Sequence, residues 1–302
     1  MPSKSKTPYI QMHIAVFLWG FTAILGKLIS ISSLSLVFWR MCLAAIGFIL
    51  IPYTWKSFRS LSVKKISIIM GIGIIICIHW ICFYYSIKVA NSSSLALACL
   101  GTGPLFTLWL EKLFVKNKQI HFLEIFISIL SIIGIIFIAF GSSSDTMDWT
   151  SNYLIAVFFG VLASALAAIF SLMNKHLTDG VTPYTISMLE MTAGALFLSI
   201  VSWKMNLWIP IEEIDFNDKI YLLLLSIFCT NIPFLLSVFA IKKLEAFIVT
   251  LSVNLEPIYG FIFAAILFKE YNQFSIYFFI GTFIILSSVF LTPWIHKSKA
   301  TE

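Results

Sequence analysis

Polar residues are so spaced along this chain that they leave about ten apolar segments, each near the ~20 residues a helix needs to cross a bilayer, joined by short loops. Apolar residues make up 60% of the 302 and charged residues 11%, with a mean hydropathy of +0.97. Soluble domains carry roughly 45–50% and 25%. The sequence therefore predicts an all-α membrane protein of ten transmembrane helices, with no room for a separate soluble domain. The first five run roughly over Tyr9–Ile29, Ser33–Tyr53, Ile66–Lys88, Asn91–Leu110 and His121–Phe140. The next three run over Asn152–Met173, Pro183–Trp203 and Ile220–Ile241. A ninth follows the turn Lys242-Lys243-Leu244-Glu245 and stops before Glu270, and the tenth covers Phe274–Ile295. The basic N-terminus resembles a signal peptide, but it lacks a small-residue cleavage site and is read as a retained first helix.

Two stretches echo each other. Residues 86–114 (SIKVANSSSLALACLGTGPLFTLWLEKLF) and 237–270 (SVFAIKKLEAFIVTLSVNLEPIYGFIFAAILFKE) align at an offset of about 153 residues, half the chain, with Pro104 matching Pro257. A weak internal repeat in a hydrophobic chain is the mark of a duplicated transporter. The polar stretch GSSSDTMDWTS after Phe140 divides the chain into 1–141 and 142–302. Fourteen Lys and Arg residues fall on the side that holds the N-terminus and four on the other, which puts both termini in the cytoplasm, with a bacterial inner membrane as the expected location. Five helices per half is an odd number, so the two repeats are expected to be inverted.

Several functions are disfavoured. The formal charge of +6 lies in loops between spans, which fits membrane orientation rather than nucleic acid. Cys42, Cys77, Cys82, Cys99 and Cys229 all sit in apolar runs without metal-site spacing. No GxxxxGK[ST], HExxH or GxSxG pattern occurs, so neither nucleotide hydrolysis nor an intramembrane enzyme is expected, and no cofactor or metal is implied. Gly71/Gly73, Gly101/Gly103 and Gly134/Gly141 allow close helix approach; packing within one bundle and homodimerisation both remain open.

The motifs resemble the EamA family of the drug/metabolite transporter superfamily. The resemblance rests on Trp19-Gly20 in the first helix, on GPLFTLWLEKLF at 103–114, and above all on Leu255-Glu256-Pro257-Ile258-Tyr259 followed by Leu267-Phe268-Lys269-Glu270. It covers nearly the whole chain. The first half departs from the pattern: Val115-Lys116-Asn117 stands where the family often has Gly-Glu. The resemblance implies a ten-helix carrier of amino acids or other small metabolites with a central cavity.

Polar groups at bilayer depth are costly and usually face a cavity or a partner. Arg40 either snorkels to an interface or serves as a cavity cation for a carboxylate, which its planar fork suits. Glu190 stands at the repeat-equivalent position, 150 residues on. The two are expected to face one cavity, either as a structural ion pair or as grips for the two ends of a zwitterion. Glu256 is either a proton-coupling carboxyl or a carboxylate held by neighbouring helices. His79, Asn231 and Asn254 either bond between helices or line the cavity. Trp19 and Tyr84 are candidates for an aromatic wall, and Pro104 and Pro257 for hinges. The expected activity is secondary-active transport by alternating access, of amino acids or related zwitterions, with export favoured. Import or exchange of a larger nucleotide-derived metabolite and a non-transporting assembly role are the alternatives.

Overall fold

A computed structural model describes residues 6–113, 122–141, 152–207, 209–244, 252–253 and 255–298. The described residues are helical almost throughout. The first half contains α1 (Thr7–Leu28), α2 (Ser33–Ile49), α3 (Pro52–Phe58), α4 (Val63–Ala90), α5 (Ser93–Leu100), α6 (Gly103–Leu110) and α7 (Phe122–Ala139). The second contains α8 (Asn152–Leu177), α9 (Pro183–Met205), α10 (Phe216–Ser226), α11 (Ile232–Ile241), α12 (Glu256–Phe268) and α13 (Ile276–Ser298). Among the described residues, six helical stretches are long and apolar enough to cross a membrane, or seven if α2 and α3 form one bent span. Shorter apolar helices fill the remaining segments.

Helix starts follow local chemistry. Ser32, Ser62, Ser92 and Thr182 each stand before an apolar run and accept a bond from the backbone N–H three residues on. This serves a donor that the first turn leaves without a partner. Prolines sit at starts as well, where the missing N–H costs nothing. Pro104 and Pro257 each stand in the first turn of their helix, α6 and α12; Pro104 lies within the span Ser93–Leu113, just after the break at Gly101-Thr102, and Pro257 follows Leu255. The second expected span also ends early. Pro52 starts α3, which is bent from α2 by 84°, so Ser33–Tyr53 is not one straight helix.

The core joins the halves. The α4 helix packs against α8 and α9, and α2 lies along α9; α1 lies between α11 and α12. Glycines set the closest approaches. A Cβ on Gly73 would lie 2.3 Å from the Glu190 carbonyl oxygen, and one on Gly281 would lie 2.6 Å from that of Gly134. Gly71, by contrast, faces open space. Gly73→Ala is expected to push α4 off α9 and to cost about 1–3 kcal/mol, the usual range for overpacking, whereas Gly71→Ala should be neutral or mildly stabilising. Melting of the two purified variants side by side checks this.

The two ends of the bundle differ. At one end, the Glu270 carboxylate is fully buried and accepts from Lys27 Nζ (2.9 Å), Ser92 Oγ (3.0 Å), Ser93 N (3.0 Å) and Oγ (2.7 Å), and Ser94 N (2.7 Å). It therefore sits on the N-terminus of α5, where backbone N–H groups and the helix dipole both favour an anion. Lys269 ends α12 in the left-handed region (φ 53°), which turns the chain back so that residue 270 points into the bundle. Nearby, Asp218 accepts from Ser30 N and Oγ, and Lys88 Nζ donates to the Ile29 carbonyl at 2.6 Å. At the other end, Met12, Val16, Ala240 and Leu244 form a small apolar cluster, and Lys242 Nζ donates to the Val181 carbonyl.

Candidate functional site

A cavity of about 190 Å³ lies inside the bundle, more than ten times the roughly 10–15 Å³ that a single water requires. Its walls come from α1, α2, α4, α5, α6, α8, α11 and α12. It reaches from Thr22 and Arg40 at mid-depth to Met12 near the start of α1, Lys175 in the last turn of α8 and Ile241 at the end of α11. Lys27, Ser92 and Glu270 are not part of its lining. The cavity thus lies toward the Met12 end, and the Glu270 cluster stands beyond its lining.

Arg40 is the charged centre of the wall. Its side chain is 1% exposed, and three of its N–H groups are engaged: Nε donates to Thr230 Oγ1 at 2.7 Å, Nη1 to Tyr84 Oη at 2.7 Å and Nη2 to the Cys229 carbonyl at 3.1 Å. The guanidinium lies 3.6 Å from the Trp80 ring centroid, a cation–π contact strengthened by burial. The helix opposite is built to receive it. Residues Ile227–Asn231 form a π-helical turn, a local break that helices use to expose backbone groups. Pro233 has no N–H to give the carbonyl four residues back, which is that of Cys229. Snorkelling is thereby ruled out for Arg40. Tyr84, expected in the aromatic wall, instead stands behind it and orients the guanidinium.

Glu256 lies on the same cavity, in the first turn of α12, within electrostatic reach of Arg40. His79 is buried in the wall; its Nδ1–H donates to the Ala163 carbonyl at 2.7 Å, which leaves Nε2 as the acceptor of the neutral ring. Trp19, Phe234 and Trp80 form an edge-to-face series, with centroids 6.4 and 6.0 Å apart, beside Phe83 and Phe170. The site thus offers a cation, a carboxylate, an imidazole and an aromatic wall around one space.

Glu190 departs from expectation. It is fully buried on α9, away from the cavity lining, and it does not pair with Arg40. The repeat makes the two positions equivalent but not adjacent: α9 turns residue 190 against α4, while α2 turns Arg40 toward the π-turn. Asn231 is likewise turned away. Its Nδ2 donates to the Ala44 carbonyl at 3.2 Å, and it packs on Gly47, as an interhelical bond rather than a cavity group. Asn254 lies outside the described residues. Asn174 and Lys175 of α8 line the cavity and were not singled out from the sequence; they follow an apolar run as ordinary helix-end polar residues.

An all-helical bundle of membrane-spanning length around a largely apolar cavity that carries a few polar and charged groups has the build of a membrane carrier. The EamA-like transporter family matches the chain twice, over residues 6–140 and 154–293, and the chain belongs to that family. It is accordingly an integral membrane protein of a transporter family rather than an enzyme. A solved structure described only as "Crystal structure of protein" shares the fold, with a TM-score of 0.64 at 12% identity over 97% of this chain and 99% of the other. No curated protein matches.

Proposed function

We propose that this transporter is a secondary carrier of amino acids or closely related zwitterions. The observation that carries this reading is the presence of Arg40 and Glu256 on one cavity, opposite in charge and next to an aromatic wall. Arg40 offers a planar fork to an α-carboxylate, and Glu256 offers an anion to an α-ammonium group. The Trp19–Phe234–Trp80 wall suits a bulky apolar side chain. The cavity-facing pair is Arg40 with Glu256, not Arg40 with Glu190.

The matching halves support two inverted five-helix repeats, divided near residue 141, that rock about this site. With the lysine-rich side read as cytoplasmic, the Met12 end is the inner end, and the cavity's lean toward it supports reading the structure as inward-facing, with the Glu270 cluster on the outer side. Such a state collects cytoplasmic substrate, in keeping with export.

The test is melting of the detergent-purified protein against a panel of amino acids and a panel of nucleotide-derived metabolites. A ligand at a hundred times its Kd adds about 2.7 kcal/mol. A bulky apolar amino acid is expected to raise the melting temperature, and labelled uptake into proteoliposomes should follow the same ranking. A shift with nucleotide-derived compounds alone would overturn the zwitterion reading. Binding and uptake of neither class would favour an assembly role.

A further inference from the structure

Glu190 has the opposite environment to its repeat counterpart. Arg40 has three hydrogen bonds and a ring beneath it; Glu190 is 0% exposed, and among the described residues both of its carboxylate oxygens lack a hydrogen-bond partner. The titratable and charged groups on the elements around it include Arg40 and Cys42 on α2, Tyr53 and Lys56 on α3, Lys64, Lys65, Cys77, His79, Cys82, Tyr84, Tyr85 and Lys88 on α4, Lys175 and His176 on α8, and Lys242 just past α11, with the polar Asn174 also on α8. In this arrangement neither carboxylate oxygen has a partner at full hydrogen-bond geometry or an ion pair, Asn174 being the neighbour nearest to giving one, and Arg40 directs three of its N–H groups to Tyr84, Thr230 and Cys229. An anion so placed has no exposed surface and no paired cation, and the Asn174 amide beside it is the one donor at hand among the described residues, so a neutral carboxyl is the form that such a site tolerates.

One neighbour opens a route. Asn174 lies beside Glu190, lines the cavity, and has a side-chain oxygen that is itself buried without a hydrogen-bond partner. A carboxylic O–H is a donor of the kind that oxygen lacks, and a modest rotation would join the two. Asn174 is thus poised between a buried carboxyl and the water-accessible space that holds the substrate.

We propose that Glu190 is a proton-binding site of the carrier, filled and emptied from the cavity past Asn174. In the state seen here the carboxyl holds the proton. When rocking of the halves lets water or a donor reach it, the O–H bond breaks heterolytically, the proton leaves to water as hydronium, and the carboxylate remains. This deepens the proposed function, since a proton taken up on one face and released on the other is what would couple the carrier to a proton gradient.

Two measurements separate this proposal from the transport reading beneath it. The first needs no substrate: infrared spectra of the protein in lipid at neutral pH, in a Glu256→Gln background that removes the other membrane carboxyl. A carbonyl stretch of a protonated, weakly bonded carboxyl is expected there and should vanish on adding Glu190→Gln. If Glu190→Gln fails to fold, Glu190→Asp should move the band. No such band in the Glu256→Gln protein, or a band that no Glu190 change affects, overturns the proposal.

The second uses proteoliposomes loaded with a pH-sensitive dye and given a gradient of mixed proteinogenic amino acids. Wild type should show an internal pH change, and Glu190→Gln should retain amino-acid counterflow while losing that change. An unaltered pH change in Glu190→Gln overturns the coupling role. Absence of any amino-acid flux in wild type sinks the transport reading and leaves the infrared result to decide on the proton site.

Discussion

Arg40→Ala is expected to yield a folded carrier whose melting temperature no longer responds to amino acids. Truncating one partner of a buried, hydrogen-bonded charge contact typically costs about 2–5 kcal/mol, which is roughly 1.5 to 3.5 powers of ten in Kd. The fold should survive because the groups left behind have other uses: Thr230 Oγ1 donates to the Leu225 carbonyl at 2.9 Å, and Tyr84 remains packed in the core. Arg40→Lys should restore little. An ammonium keeps the charge but cannot reach Thr230, Tyr84 and the Cys229 carbonyl from one plane while offering a fork to a carboxylate. Glu190→Gln, outside the cavity, should keep the ligand-induced shift. A full shift in Arg40→Ala, read by the same melting assay, would remove Arg40 from the binding site.

The second large effect concerns the Glu270 end. Burial alone would raise the Glu270 carboxyl, but the Lys27 ammonium and the Ser93 and Ser94 donors outweigh it and hold the group at about 2, below the ordinary 4.5. The group's pKa is lower in the folded protein than in the unfolded chain. Its stabilisation is therefore complete above about pH 4.5 and fades as the pH falls toward 2. At ~1.4 kcal/mol per pH unit the linkage amounts to about 3 kcal/mol. Glu270→Gln should lower the folding stability at neutral pH by that order, seen as a drop in melting temperature, and its melting should be flatter than wild type between pH 4.5 and the acid limit. Equal acid sensitivity in both proteins would show that Glu270 does not carry the effect.

The spans were legible because a twenty-residue apolar run has few other uses. Their breaks were less so. Pro52 lay inside the second expected span, yet proline both starts helices and ends the preceding one, and only the observed 84° bend decides between them. Arg40 stood out because an arginine at bilayer depth demands partners, but those partners lie 44 to 190 residues away and carry no local signal. The match of Arg40 with Glu190 came from the repeat, and a repeat relates positions rather than the rotation of a helix about its axis. Glu270 was visible only as part of a family motif. Nothing near it in sequence announces that it caps a helix start 176 to 178 residues earlier. Pro233 is plain in the sequence, but its effect on the Cys229 carbonyl becomes useful only once Arg40 is known to lie opposite.

Glu270 stands thirteen residues after Pro257; thirteen residues after Pro104 stands Asn117. In a carrier whose halves mirror each other, that inequality acts as a rectifier on waiting time. On the orientation proposed above, a carboxylate clasp on one side whose sequence counterpart on the other is an amide would bias the empty carrier toward the cytoplasm, and a bias of about 3 kcal/mol would leave on the order of one molecule in 150 facing outward. Substrate arriving from outside would then bind with an apparent Kd raised by the same factor, though the outward-facing site were chemically identical. The bias cannot set the direction of net flux, which belongs to the gradients. It sets which compartment the idle carrier samples, and at low substrate that compartment is the one it would clear.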